Sequence, residues 1–190
     1  MFLRILNSER LLFVFLLISY LCVYKLQLHV IYPLESLLGW EVTHHASMFF
    51  LPAGISFLSF YLLRWKGVPI IIIGTTCVDF FMFGSLTTSM LAENVLSALC
   101  YPLCVYVANK GGWDVLGDVD ENSLTVTGTL ILQWVVSLYS ALFSAYVRTA
   151  GGILGVEQNL QYVLHFVVGD TLGAATVIYI FYKLMKISIR

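Results

Sequence analysis

Charge is scarce in this 190-residue chain: Asp, Glu, Lys and Arg make up 11% of it, against 59% hydrophobic residues. Its mean hydropathy is +0.89. A soluble domain averages about 25% charged residues, so a water-soluble fold is excluded and an all-α polytopic membrane protein is expected. A basic stripe is also missing and the net charge is −1, which removes the electrostatic footprint of a nucleic-acid binder. Cysteine is too sparse and too apolar in context for a disulfide framework. Cys22, Cys77, Cys100 and Cys104 all lie in hydrophobic runs and read as small buried side chains. No small-residue cleavage site follows the apolar stretch LLFVFLLISYLCV, which continues as YKLQLHVIYP. It is read as a retained first span, not a removed signal peptide.

What the chain has is a series of apolar runs. A membrane helix needs about 20 mostly apolar residues in a row, and six runs qualify, at roughly 11–33, 46–63, 68–87, 91–109, 124–147 and 160–182. They form one integral-membrane domain over 1–190, with no space for a separate soluble catalytic domain. Cytoplasmic loops hold the excess of Lys and Arg. With the N-terminus inside, Arg4, Arg10, Arg64, Lys66, Lys110, Lys183, Lys186 and Arg190 fall on the inner side and Arg148 alone in an outer loop. The expected topology is therefore six spans with both termini cytoplasmic.

Ionisable groups inside a bilayer cost about 2.5–3.5 kcal/mol at a helix centre on insertion scales, and they usually face a bundle interior or a cavity. Lys25, Asp79, Glu93, His165 and Asp170 are such groups, and this topology gives them one depth zone in the outer half. Glu41, His29, His44 and His45 belong to the same side. Together they predict a polar chamber opening outward. The plainer reading is that Lys25 pairs with Asp79 or Asp170 and only fixes helix register. Metal ligation by His44, His45 or His165 is a weaker reading, because adjacent histidines on a helix diverge by about 100° and no HExxH or CxxC spacing accompanies them. No cofactor is expected.

Small residues punctuate the later spans, among them Gly74, Gly128 and the run VVGDTLGAATV with Gly169 and Gly173. Membrane helices approach closely at such residues. Pro102 is expected to bend the fourth span. In the inner loop, Asp118, Asp120 and Asn122 resemble the start of a calcium loop, but Ser123 stands where glycine is needed and Thr129 where a bidentate glutamate is. A solvated acidic turn is expected instead.

One stretch carries a family likeness. LPAGISFLSFYLLRWKGVPIIIIGTTCVDF places Pro52, Ala53 and Gly54 at a helix start. Arg64 and Lys66 follow at a basic turn, Pro69 heads the next helix, and Gly74 stands five positions before Asp79. AENVLSAL then supplies Asn94 and Leu96, and the closing helix supplies Gly169, Asp170 and Gly173. In this order the motifs resemble the bacterial membrane-associated sensor domain of the first type, the MASE family, over most of residues 45 to 182. Departures are Asp79 where an amide is more usual, Ser97 in place of an acid, no proline after the Gly-Asp-x-x-Gly helix, fewer spans, and no kinase or cyclase following. The resemblance implies a stand-alone membrane sensing or docking module of a bacterial inner membrane.

Three functions follow. The first is a sensor-like docking subunit that binds a partner membrane protein and takes a small polar ligand in the chamber, with Lys25, Asp79, Glu93, Asn94, His165 and Asp170 as its binding residues. Pro52, Gly54, Pro69, Gly74, Gly169 and Gly173 are then structural. The second is a substrate-binding subunit of a vitamin-type transporter, since a six-span chain with Gly-Asp in its last helix is similar to those of energy-coupling-factor systems. Against it, the alanine motif they use for docking is missing from the first span. The third is a membrane-embedded hydrolase or transferase using His44, His45 or His165 with Asp170, or Ser47 with His44 and Asp170, although no nucleophile elbow marks the serine. A non-enzymatic role is expected.

Overall fold

The computed structural model describes residues 8–40, 47–113, 126–151 and 155–188. All regular structure among them is helical, and five helices are long and apolar enough to cross a membrane: Glu9–Leu37, Pro52–Phe83, Thr88–Lys110, Gly128–Ala150 and Val156–Leu184. The acidic loop from 114 to 123, Glu41, His44 and His45 lie outside the described residues.

The first helix, α1 (Glu9–Leu37), runs through a π-helical turn at Gln27–Ile31. The second apolar stretch is broken. α2 (Pro52–Leu63) ends where Arg64 takes φ 53° and Arg64–Gly67 form a short 3-10 turn, and α3 (Val68–Phe83) follows. A methyl group added at Gly67 would overlap the Ser59 carbonyl, so the chain doubles back and glycine is required for that approach. α4 (Thr88–Lys110) is capped by the Thr87 hydroxyl, which accepts from the Met90 amide at 3.3 Å. It carries Pro102 in its interior. α5 (Val126–Ala150) and α6 (Asn159–Ser188) complete the bundle.

Residue pairs give the register. Ile55 meets Tyr20, Tyr24 and Val78, while Leu58, Leu63 and Ile70 meet Leu12 and Leu16. α2 therefore runs antiparallel to both α1 and α3. Asp79 opposite Asn94, and Ile71 clustered with Tyr101, set α3 against α4 in the same way. α4 and α5 pair through Glu93–Arg148 and Tyr101–Gln133, and α5 and α6 through Thr149–Asn159, Ser144–Tyr162 and Ser137–Asp170.

α2 is the centre of the bundle. Its residues Pro52 to Phe60 are all buried, on every face of the helix, and a helix apolar all round belongs in a core. Polarity is inverted relative to a soluble protein. Gln27, Gln133, Ser59 and Ser137 are 0% exposed, whereas Phe81 is 74% and Tyr146 72% exposed. Large apolar side chains on the rim and amides at the centre are what a lipid environment selects, because hydrocarbon cannot satisfy a polar group.

The glycines are consumed inside this packing. Added methyls at Gly169 and Gly173 would overlap the carbonyl oxygens of Ser47 and Phe50, and one at Gly54 would meet Val177. At Gly74 it would come within 2.6 Å of the Tyr20 ring. Residues 47 to 54 thus run parallel to α6 along its small-residue face. That face is used internally and is not left over for a partner.

Candidate functional site

The non-helical residues 47–51 enter the bundle before α2 begins at Pro52. Backbone at this depth needs internal partners. The Phe50 amide donates to the Gly169 carbonyl at 3.0 Å, and the Leu51 amide donates to Gln27 Oε1 at 3.1 Å. Gln27 Nε2 donates to Ser47 Oγ at 3.0 Å, as does the Phe49 amide at 3.1 Å, and the Ser47 hydroxyl faces both Glu35 carboxylate oxygens at 2.8 Å. Its single proton goes to Glu35, so Ser47 is a saturated hub. Pro52 explains the start of the helix: its missing N–H falls in the first turn, where no helical partner exists.

Beside this entry lies a cavity of about 180 Å³. Its walls come from α1 (Tyr20, Tyr24, Tyr32), from Ser47 and Phe50, from α3 (Asp79), α4 (Glu93, Asn94), α5 (Arg148) and α6 (Phe166, Asp170). Six chain segments therefore converge on one polar space.

Two hydrogen-bonded groups hold the polar walls. At one edge, Arg148 Nη2 meets Glu93 Oε1 at 3.3 Å, with the two side chains 20% and 15% exposed. Arg148 Nε donates to Ser144 Oγ at 3.1 Å, and the Ser144 hydroxyl donates to Glu93 Oε1. Since that proton is spent, the 2.8 Å contact between Ser144 and Tyr162 has the tyrosine as donor. Deeper in, Tyr101 donates to Gln133 Oε1 at 3.2 Å, Gln133 Nε2 to Ser137 Oγ at 3.0 Å, and the Ser137 hydroxyl to Asp170 Oδ2 at 3.2 Å. This chain runs from the bundle centre to the chamber floor. Asn94 Nδ2 separately donates to Asp79 Oδ2 at 2.7 Å.

Of the residues expected from sequence, Asp79, Glu93, Asn94 and Asp170 are brought together here. Lys25 and His165 are not. Lys25 is exposed on the flank of α1, away from the lining, and pairs with neither Asp79 nor Asp170. The inward stripe of α1 is Leu12, Leu16, Tyr20, Tyr24 and Gln27, and Lys25 stands about 100° from Tyr24 on the helix. His165 is partly exposed, with Nδ1 2.7 Å from the Gln161 carbonyl of its own helix. Among the described residues no group of three His, Cys, Asp or Glu side chains is placed to hold a metal. Ser47 is beside Glu35, with no described histidine in contact.

Sequence reading missed Arg148, Gln27, Glu35, Gln133 and Ser137. Arg148 belongs to the last turn of α5 and not to an outer loop. The available signal was the spacing Gln133, Ser137, Ser140, Ser144, Arg148, a polar stripe at helical period along an apolar span.

In comparison with known proteins, the chain matches no protein-family model, no curated protein and no solved structure.

Proposed function

We propose that the chain is an integral-membrane sensor-like subunit that takes a small polar ligand in this chamber and passes its occupancy to a partner membrane protein. The observation that carries the reading is the charge-bearing cavity assembled from six segments. Intramembrane ionisable groups facing a cavity are the usual mark of a binding or conduction path. A single water needs only about 10–15 Å³ of cavity volume, so the chamber suits a ligand of a few heavy atoms. The motif order shared with bacterial membrane-associated sensors supports the same class and an inner-membrane location.

The reading includes six crossings with both termini cytoplasmic. The reversal at Arg64 supports two legs within Pro52–Phe83, and the Lys and Arg bias supports the orientation. α2 has 12 residues, about 18 Å at 1.5 Å per residue, so the second leg reaches the outer surface only through residues preceding Pro52.

That interrupted leg also favours a second reading, a substrate-binding transporter subunit. Broken helices beside a buried site are how many transporters coordinate cargo.

Mild-detergent purification of the full chain at native expression, with mass spectrometry of bound proteins and small molecules, tests the proposal. A co-purifying membrane partner and a small polar molecule, the latter lost in Asp170→Asn, are expected. A clean monomer with nothing bound would overturn it. Accumulation of the small molecule in cells with no signalling partner would favour the transporter reading.

A further inference from the structure

We infer that the chamber ligand carries an ammonium group, as a small primary or quaternary amine or as the headgroup of a lipid. This rests on the chamber reading above and narrows it to one charge class.

The lining holds three carboxylates, Asp79, Glu93 and Asp170, against one cation, Arg148. Arg148 is committed to Glu93 and Ser144. Asp79 and Asp170 are left with neutral donors: Asn94 to Asp79, and Ser137 to Asp170. Asp170 is 9% exposed, and only its Oδ2 is hydrogen-bonded among the described residues. Its second oxygen has no partner among the described residues, and Asp170 borders the cavity. Tyr24, 7% exposed, also borders the cavity, and its hydroxyl makes no hydrogen bond among the described residues. A buried carboxylate without a countercharge is strongly unfavourable. A bound cation would remove that penalty at Asp170, and the half-buried Asp79 would attract the same charge.

The remaining walls suit the same occupant. Tyr20, Tyr24, Tyr32, Phe50, Phe83 and Phe166 all border the space. Aromatic faces attract a cation within about 6 Å, and quaternary ammonium ligands are held in such cages. An anionic ligand would meet two acids with a single cation that is already paired. A divalent metal would need a convergent ligand set, which the described residues lack.

The test uses the full chain in nanodiscs of phosphatidylglycerol alone, with thermal unfolding read against added choline. The control ligand is choline's neutral tert-butyl isostere, in which carbon replaces the charged nitrogen. Choline is expected to raise the unfolding temperature saturably, and the isostere to leave it unchanged at equal concentration. Asp170→Asn and Asp79→Asn are each expected to weaken the choline response at least tenfold in concentration. Tyr24→Leu, which removes a ring but no charge, is expected to weaken it as well, and guards against loss of folding in the aspartate variants. If phosphatidylcholine in the disc abolishes the response to added choline by occupying the site, the ammonium source is the headgroup; if the response persists, it is a free amine. Equal responses to choline and the isostere, or a response to glycolate alone, would overturn the ammonium assignment while leaving the chamber as a binding site. No response to choline, isostere or glycolate would remove the chamber reading as well.

Discussion

Asn94 Nδ2 donates to Asp79 Oδ2 at 2.7 Å and lies 3.5 Å from Thr76 Oγ1, so one amide ties α4 to α3 at the chamber wall. Both partners come from the motif order that resembles membrane-associated sensors, and here they are each other's ligand. Asn94→Leu removes the donor and leaves the carboxylate with one neighbour fewer. A loss of about 1–3 kcal/mol of stability is expected, the range for an unsatisfied buried group. Asp79→Asn keeps an acceptor for Asn94 and is expected to fall below that loss. Reversible unfolding in mixed micelles measures both, and an Asn94→Leu variant as stable as the parent would show the bond to be idle.

The close contact of residues 47–51 with α6 gives a sharper case. A methyl group at Gly169 or Gly173 would collide with backbone carbonyls of Ser47 and Phe50, which no side-chain rotation relieves. Gly84 has φ 67° but open space around it. Alanine at Gly84 is expected to cost about 1–2 kcal/mol, the penalty for a left-handed L-residue. Gly169→Ala and Gly173→Ala are expected to exceed it clearly and to lower the yield of folded protein. Size-exclusion profiles and melting curves of the three variants decide it; equal effects would mean residues 47–51 move aside at no expense.

The contrast between α2 and the other spans shows what the sequence could and could not convey. Apolar length alone locates α1, α4, α5 and α6, because a bilayer imposes a minimum run that nothing else in the chain mimics. The run 46–63 reads as one span by the same rule, yet of its described residues 47–63 only Pro52–Leu63 are helical. The difference is set by tertiary partners: Gln27 and the Gly169 carbonyl satisfy the amides of Leu51 and Phe50 from 24 residues away and from another helix. Pro52 was the one local sign. The chamber was legible as a depth zone, since depth follows from span order. Rotation about each helix axis was not, which is why Lys25 was grouped with residues that it does not face. The charge rule places Arg148 in a loop because it counts a cation near a span end without asking whether an acid waits on the neighbouring helix.

The hairpin at Arg64 makes a topological prediction. Lys66 pairs with Glu9 at an exposed end of the bundle, while Ser85 is exposed just beyond the other end of α3. α3 has 16 residues, about 24 Å at 1.5 Å per residue, enough to set the two positions near opposite membrane faces. In a background with Cys22, Cys77, Cys100 and Cys104 replaced by serine or alanine, Ser85→Cys is expected to react with a membrane-impermeant maleimide in intact cells. Lys66→Cys should react only after permeabilisation. Labelling of both from one side would show that α3 does not cross, and would overturn six crossings.

Among the described residues Glu93 and Arg148 form the one ion pair in the chamber wall, and both side chains are mostly buried. Removing one partner strands the other, which for a buried pair costs about 3–5 kcal/mol, whereas removing both together is often close to neutral. Partial exposure lowers the penalty at this site. Arg148→Leu also frees Ser144, whose hydroxyl binds the same Glu93 oxygen, so the acid keeps one donor and loses its countercharge. Glu93→Gln leaves Arg148 over the Tyr162 ring, 5.9 Å from its centroid, with the cation partly compensated. Arg148→Leu is therefore expected to be the more damaging single change. The double variant should be more stable than Arg148→Leu alone, with a coupling energy of about 0.5–3 kcal/mol in a double-mutant cycle. Additive effects would show that the two groups pack independently, and this wall of the chamber would then be held by Ser144 and Tyr162 alone.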